Sequence, residues 1–262
     1  MTMSSYEIEL NNIVSPKLED VISLSSCYVP AEFANRPWAC LSSGIPPITY
    51  EYKLYCYMKA YGYMHQAKFD YAFKFLPEKF LENKEIDIVD YGCGQAMGVM
   101  CYSDFLKSIG KKQRINSITL IEPSKIALDR AEFHARKFFP EAKIIAINKY
   151  LNDLQCDDIS DYSDIHKLHI FSNVLDIDTI DIEEVSSLIK KSFGGYSQFI
   201  SVGPSRGGCS YSDSRLTEFT KSFNVRDAIL RYQGYGFRPG KIGTCACGVF
   251  GTYLNENKAL RA

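Results

Sequence analysis

The chain lacks most features that would assign it to a class at a glance. No apolar run reaches the length of a membrane span, and no internal repeat or low-complexity linker interrupts the 262 residues. Charge of neither sign dominates: 30 Lys and Arg stand against 31 Asp and Glu, a formal net charge of -1. Such a balance offers no global attraction to nucleic acid or anionic lipid, so a polyanion would have to use a local basic face such as "GKKQR". CxxC pairs are also missing. The nine cysteines are an odd number, which suits a reducing compartment better than a disulfide framework. The four histidines, His65, His134, His166 and His169, form no recognisable zinc set with Cys245 and Cys247, so no metal is expected. The opening "MTMSSYEIEL" has neither a basic region nor an apolar signal core, and a cytoplasmic location is expected.

What the chain does have, from residue 86 onward, is alternation. Short apolar runs at 86–90, 117–122, 143–148, 168–172 and 199–203 read as strands. Helix-like segments separate them. Val99, Tyr102, Leu106 and Ile109 recur at helical spacing before Gly110, a C-terminal cap. Leu128, Ala131, Ala135 and Phe138 repeat the pattern after Pro123-Ser124, a helix start. Asp181 and Glu184 resemble a capping box before the stripe Val185, Leu188 and Ile189, which Gly194-Gly195 ends. This predicts an α/β fold with a mostly parallel sheet covered on both faces. A helix over 212–223 and a late strand over 245–254 follow, and 224–244 reads equally as strand or helix.

The first 85 residues differ in kind. They hold the only tryptophan, Trp38, a Pro46-Pro47 break, and then seven tyrosines and four phenylalanines between Tyr50 and Phe80. Leu54, Met58, Tyr61 and His65 fall at helical spacing, with Gly62 as a weak point and Pro77 as a stop. We expect a helical cap or lid over 1–85, packed on a main domain over 86–262.

The first strand runs into "IDIVDYGCGQAMG". A strand ending in an acid, followed by two glycines one residue apart, opens three kinds of ligand loop: those of nucleotide triphosphatases, nicotinamide dehydrogenases and methyltransferases. A phosphate cradle needs a lysine followed by a hydroxyl residue, and none closes this loop. A dinucleotide fingerprint starting at Gly92 needs glycine where Met97 stands. An acid directly before the loop, Asp90, would repel a pyrophosphate but suits a ligand carrying an ammonium and a sulfonium.

"VDYGCGQA" resembles motif I of the class I S-adenosylmethionine-dependent methyltransferases, with Ala96 in place of the third glycine and Gly98 close by to supply flexibility. The likeness spans roughly residues 86–203. It implies a Rossmann-like fold with a mostly parallel seven-stranded sheet, and S-adenosyl-L-methionine as cofactor. It also implies that Asp90, Gly92, Cys93, Gly94 and Gln95 contact the methionine part of the cofactor. In "ITLIEPS" the acid at the second strand's end is Glu122, followed by Pro123; a carboxylate there accepts both hydroxyls of a vicinal diol. The resemblance further implies that Asn148 lies beside the adenine and that Ser172 and Asn173, at the fourth strand's end, lie next to the cofactor. A narrower likeness, in "FSNVLD" and "GPSRGG", is to the mitochondrial ribosomal small-subunit methyltransferase-like group.

Methyl transfer needs mainly alignment of the acceptor with the methyl group. A base matters only for a protonated nucleophile, and Tyr63, His65 and Asp176 are its candidates. Tyr57, Tyr61 and Arg206 are candidates for the acceptor side. Asp153, Asp157, Asp158, Asp161 and Asp164 read as a solvated acidic loop that would disfavour a nucleic-acid backbone. The acceptor is therefore expected to be a small molecule or a protein in preference to RNA. Neither its identity nor the oligomeric state can be read from the chain. A catalytically inactive scaffold with the same fold is the alternative.

Overall fold

The computed structural model describes residues 3–204, 211–225, 228–238 and 241–255. The first stretch of chain is helical: α1 (Ser5–Asn12), α2 (Leu18–Cys27), α3 (Glu51–Ala72) and α4 (Glu78–Leu81). Strands and helices then alternate as β1 (Glu85–Tyr91), α5 (Met97–Ser108), β2 (Arg114–Ile121), α6 (Lys125–Phe138), β3 (Lys143–Ile147), α7 (Cys156–Ile159), β4 (His166–Ser172), α8 (Ile182–Ser192) and β5 (Gly195–Pro204). The chain ends with α9 (Tyr211–Ser222), β6 (Ile229–Arg238) and β7 (Lys241–Leu254). Much of the open segment 224–244 is thus strand.

The strands make one sheet in the order β3-β2-β1-β4-β5-β7-β6. Neighbours among β1 to β5 pair parallel, whereas β7 runs antiparallel to both β5 and β6. Strand order reverses between β1 and β4, which lie side by side. Period-2 alternation sends β1 side chains to two layers. Ile86 and Ile88 join the core beneath α1, α2, α3, α5 and α6, and Val89 and Tyr91 join the core beneath α8 and α9. The N-terminal helices are part of the first layer: Tyr6, Leu10, Val21 and Phe69 are fully buried in it.

Local chemistry accounts for the helix ends. Ser124 caps α6 by accepting from the Ala127 N–H at 3.2 Å, and Asp181 caps α8 by accepting from Glu184 at 2.9 Å. Gly110 follows α5 with φ 64°, while the Lys111 N–H reaches back to the Leu106 carbonyl at 3.0 Å. Two glycines have roles other than those expected of them. Gly62 is not a weak point: a Cβ there would lie 2.6 Å from Ile22 Cγ1, so the missing side chain is what lets α2 approach α3. Gly98 supplies no flexibility either. It lies inside α5, where a Cβ would meet Ile170 Cγ2 at 2.7 Å and Phe69 Cζ at 3.2 Å, so its bare face seats α5 against β4.

Gly98→Ala therefore overpacks the seam between α5 and β4. We expect a loss of about 2 kcal/mol, the middle of the usual range for an added core methyl group. A shift in the urea midpoint at unchanged slope checks it; an unchanged midpoint contradicts this packing.

Candidate functional site

The carboxyl ends of β1 to β4 open into a cavity of about 330 Å³. Open α/β sheets bind ligands at this place, outside the strand tips where strand order reverses. The loop after β1 contributes Gly92, Gly94 and Gln95; the others contribute Glu122 and Pro123, Tyr150 and Leu151, and Ser172 and Asn173. From the N-terminal region come Tyr57 and the segment from Gly44 to Ile48. Among the described residues that line the cavity, Glu122 carries the only charged side chain.

The floor is set by backbone conformation. Gly92 and Gly94 have φ 63° and 54°, where L side chains are strained. At Gly92 a Cβ would strike Val174 Cγ2 at 2.8 Å; at Gly94 it would meet nothing within 4 Å, so that backbone faces open space. Ala96, where the third glycine of the motif is missing, still adopts φ 61° and ψ 39° as the residue before α5. The loop keeps its left-handed turn without glycine, at a cost on the order of 1 kcal/mol. The Cys93 thiol is buried in this loop, and burial pushes its pKa well up.

Glu122 joins two loops. One carboxylate oxygen accepts from the Gly94 N–H at 3.0 Å and the other from the Ser124 N–H at 2.9 Å. Burial raises its pKa, and these two bonds oppose the rise. Each oxygen keeps a second lone pair for a ligand. Asn148 has a different task from the one expected at the adenine. Its side-chain amide donates to the Glu122 and Pro123 carbonyls, both at 2.9 Å, and so braces the turn that presents Glu122; it does not line the cavity.

Asp90 departs further from expectation. It shares the face of Ile86 and Ile88, so its carboxylate points into the first core layer rather than into the cavity. It is fully buried, near Gly98, and among the described residues neither oxygen has a hydrogen-bond partner. Burial, with a smaller push from Glu122, raises its pKa to about 8. An unpartnered buried carboxyl beneath a ligand loop demands explanation, because such groups are normally satisfied.

Gln95 is split between two tasks. Its side chain donates to the Leu54 carbonyl at 3.0 Å, while its own carbonyl lies 2.9 Å from His134 Nδ1. On the fourth strand's side, Asn173 (φ 54°) and Ser172 meet His65 from α3. His65 is buried, and desolvation with help from Lys68 holds its pKa near about 3. It stays a neutral imidazole, and it does not line the cavity. Tyr61 packs on Tyr57 at 5.0 Å between ring centroids and also lies outside the lining. Tyr63 is exposed and away from the site. Asp176 does not line the cavity, yet lies close enough to raise the pKa values of both Tyr57 and Lys68. Arg206 lies outside the described residues.

Two components were not read from the sequence. Lys68, buried on α3, donates to Asn173 Oδ1. It falls three residues after His65, so extending the stripe of Tyr61 and His65 by one turn would have shown a cation on a buried face. The Gly44–Ile48 segment is fixed over the site by Ser124, whose hydroxyl donates to the Ile48 carbonyl. No periodic pattern foretells such a contact.

No family model matches this sequence, and no curated protein matches it either. Solved structures do resemble it. A TehB-like S-adenosylmethionine-dependent methyltransferase from Corynebacterium glutamicum is 16% identical over 83% of this chain and 95% of its own, at TM-score 0.39. A geranyl diphosphate methyltransferase, solved with geranyl diphosphate and sinefungin, is 11% identical over 95% of this chain and 99% of its own, at TM-score 0.40. A protein from Pseudomonas syringae assigned as a methyltransferase is 12% identical over 72% of this chain and 99% of its own, at TM-score 0.45. These likenesses are too distant to carry an argument about activity. The strand order and the site itself give the fold: an α/β Rossmann-like arrangement with a mixed sheet.

The buried groups set the pH dependence of the free protein. His65, His134 and His169 are each held near about 3, so an unfolded chain binds more protons below about pH 6.5 and stability climbs up to that point. Asp90 acts in the opposite sense. Folded, it keeps its proton to about pH 8, whereas unfolded it loses it near pH 4, so stability falls as pH rises between those values. We expect a decline between pH 6.5 and 8 that Asp90→Asn flattens, measured as urea midpoints. A wild type whose stability is flat across that window would mean that Asp90 is not the buried acid described here.

Proposed function

We propose that the protein is an S-adenosylmethionine-dependent methyltransferase acting on a small-molecule or protein acceptor. The observation that carries this reading is the charge of the cavity. Among its described lining residues one carboxylate and no Lys or Arg face a ligand at the strand tips, next to a glycine whose open side admits close approach. A phosphate-bearing nucleotide would meet repulsion there, whereas a nucleoside with cationic groups would meet attraction. When bound, the cofactor supplies an electrophilic methyl group already activated by its sulfonium.

The chain's own residues then bind and orient. Glu122 accepts the ribose hydroxyls through its unused lone pairs while the Gly94 and Ser124 N–H groups fix its position. Gly92 and Gly94 admit the amino-acid part of the ligand to the backbone. Asp90, uncharged in the free protein, ionises beneath the floor when a cation arrives above it. We read residues 1–85 as a cap whose Pro46-Pro47-Ile48 segment and Tyr57 exclude water from the methyl group. None of the three base candidates takes that role in this reading: His65 is neutral with its Nδ1 already occupied, and neither Tyr63 nor Asp176 lines the cavity.

The apolar lining from Ile45, Val174, Ile177 and Ile180 supports a compact acceptor over RNA, as do the acids at 153–164. The narrower likeness to the mitochondrial ribosomal group would favour RNA, but "GPSRGG" lies largely outside the described residues. An inactive scaffold loses its main motive once Ala96 is seen to hold the turn that glycine would have made.

Calorimetry with S-adenosylhomocysteine tests the reading. Wild type should bind, and Glu122→Ala should weaken binding on the order of 100-fold, the loss of two charge-assisted hydrogen bonds. At pH 7 binding should release a proton, seen as an enthalpy that changes with the buffer, because a ligand cation lowers the Asp90 pKa. Asp90→Asn should abolish that dependence. Absence of binding by wild type would remove the enzyme reading.

A further inference from the structure

Tyr57, Ser172 and Asn173 line the cavity, and behind them stands a hydrogen-bonded chain whose members have no freedom in their roles. Lys68 is buried, and burial lowers its pKa to about 8, so at neutral pH it is an ammonium with donors only. Its partner on Asn173 must therefore be the carbonyl oxygen, Oδ1. That fixes the amide orientation, which distance alone would leave open. The Asn173 NH2 group then has two protons to place. One goes to His65 Nδ1 at 2.7 Å and the other to Ser172 Oγ at 3.1 Å. An imidazole nitrogen that accepts cannot carry hydrogen, so His65 is the Nε2–H tautomer.

His65 Nε2 lies 3.3 Å from the Tyr57 hydroxyl, to which it now donates. Among the described residues this is the hydroxyl's one hydrogen bond. Burial and the Glu122 and Asp176 carboxylates push the Tyr57 pKa upward, so the phenol keeps its proton. With its oxygen accepting from His65, that proton is left to be donated elsewhere, and the cavity is what Tyr57 borders.

We propose that Lys68 is a positioning residue: through Asn173 and His65 it fixes the Tyr57 hydroxyl as a hydrogen-bond donor to the nucleoside ligand of the cavity. The ligand half of this inference rests on the methyltransferase reading; the tautomer half does not. At about 330 Å³ the cavity lies at the small end of ligand sites, so the nucleoside itself fills most of it and presents an oxygen or nitrogen lone pair to Tyr57. Tyr57 is thereby a binding donor and not a base.

The chain makes a prediction that mere packing would not. In two-bond 1H–15N spectra of 15N-histidine protein at pH 7, His65 should appear as a neutral Nε2–H imidazole, assigned by its disappearance in His65→Gln. His134 is the internal contrast. Its Nδ1 must donate to the Gln95 carbonyl and its Nε2 must accept from the Tyr6 hydroxyl at 2.9 Å, so it should show the opposite tautomer in the same spectrum. Lys68→Met should release the amide and mix the His65 tautomers, while Lys68→Arg should restore Nε2–H. An Nδ1–H signal for His65 in the wild type would overturn the proposal even if no Lys68 variant folds, as would an unchanged tautomer in a folded Lys68→Met.

The ligand half is read by calorimetry with S-adenosylhomocysteine. Tyr57→Phe should bind about tenfold more weakly, the loss of one hydrogen bond. Equal affinity would overturn that half. A wild type that shows the predicted tautomers but binds no S-adenosylhomocysteine would instead remove the methyltransferase reading on which the ligand half rests.

Discussion

The Glu122 carboxylate holds the site together. It stands at the end of β2 and accepts one backbone N–H from the loop after β1 and another from its own turn, each at about 3 Å. Charge-assisted bonds of this kind are roughly twice as strong as neutral ones. They hold the two loops in a fixed relation while leaving lone pairs for a ligand. The strain the site carries is local to this arrangement. Ala96 and Asn173 hold positive φ without being glycine, Asn173 in the cavity lining and Ala96 buried just behind the loop of Gly92 and Gly94. Such strain persists only where surroundings over-determine it. Here the surroundings are the parallel pairings of Asp90 with Leu120 and Ile170 on either side, and the seating of α5 on β4 at Gly98.

The N-terminal helices are bound to this frame by polar contacts as well as by apolar packing. Tyr6 bonds His134, and Arg130 lies 4.1 Å over the Tyr6 ring while bonding Glu51 at 3.0 Å. Gln95 bonds the Leu54 carbonyl, and Asp104 accepts from the first N–H of α2 at 2.8 Å. One of them, Gln95, belongs to the glycine loop itself, where its side chain reaches α3 and its carbonyl lies 2.9 Å from His134 Nδ1. The loop is thereby tied to α3 through Gln95, while the segment before α3 is tied to the turn after β2 through Ser124.

Much of this was legible in the sequence. Strands β1 to β5 announce themselves as mostly apolar runs between helical stripes, because parallel strands covered by helices are rich in apolar residues; the edge strand β3 keeps the pattern while only partly buried. The glycine loop and the acid after β2 were legible for the same reason: a close ligand approach and a paired acceptor each demand one residue type. The rest depended on direction, which period and composition do not encode. Asp90 was readable as an acid at a strand tip, but its facing into the core follows only once the alternation of β1 is anchored to a layer. Asn148 was placed at the right strand end and given the wrong partner, since an asparagine amide can brace a turn as readily as touch a base. Lys68 escaped because a lysine in an aromatic helix reads as solvated until the fold buries it.

The central claim is that a cavity whose described lining carries one acid and no Lys or Arg selects a cationic nucleoside over a phosphorylated one. Its most direct test is thermal unfolding of the protein with S-adenosylmethionine, ATP or NAD at equal concentration, since a ligand raises the melting temperature only by binding the folded state. The account predicts a rise with S-adenosylmethionine alone. A comparable or larger rise with ATP or NAD would contradict it.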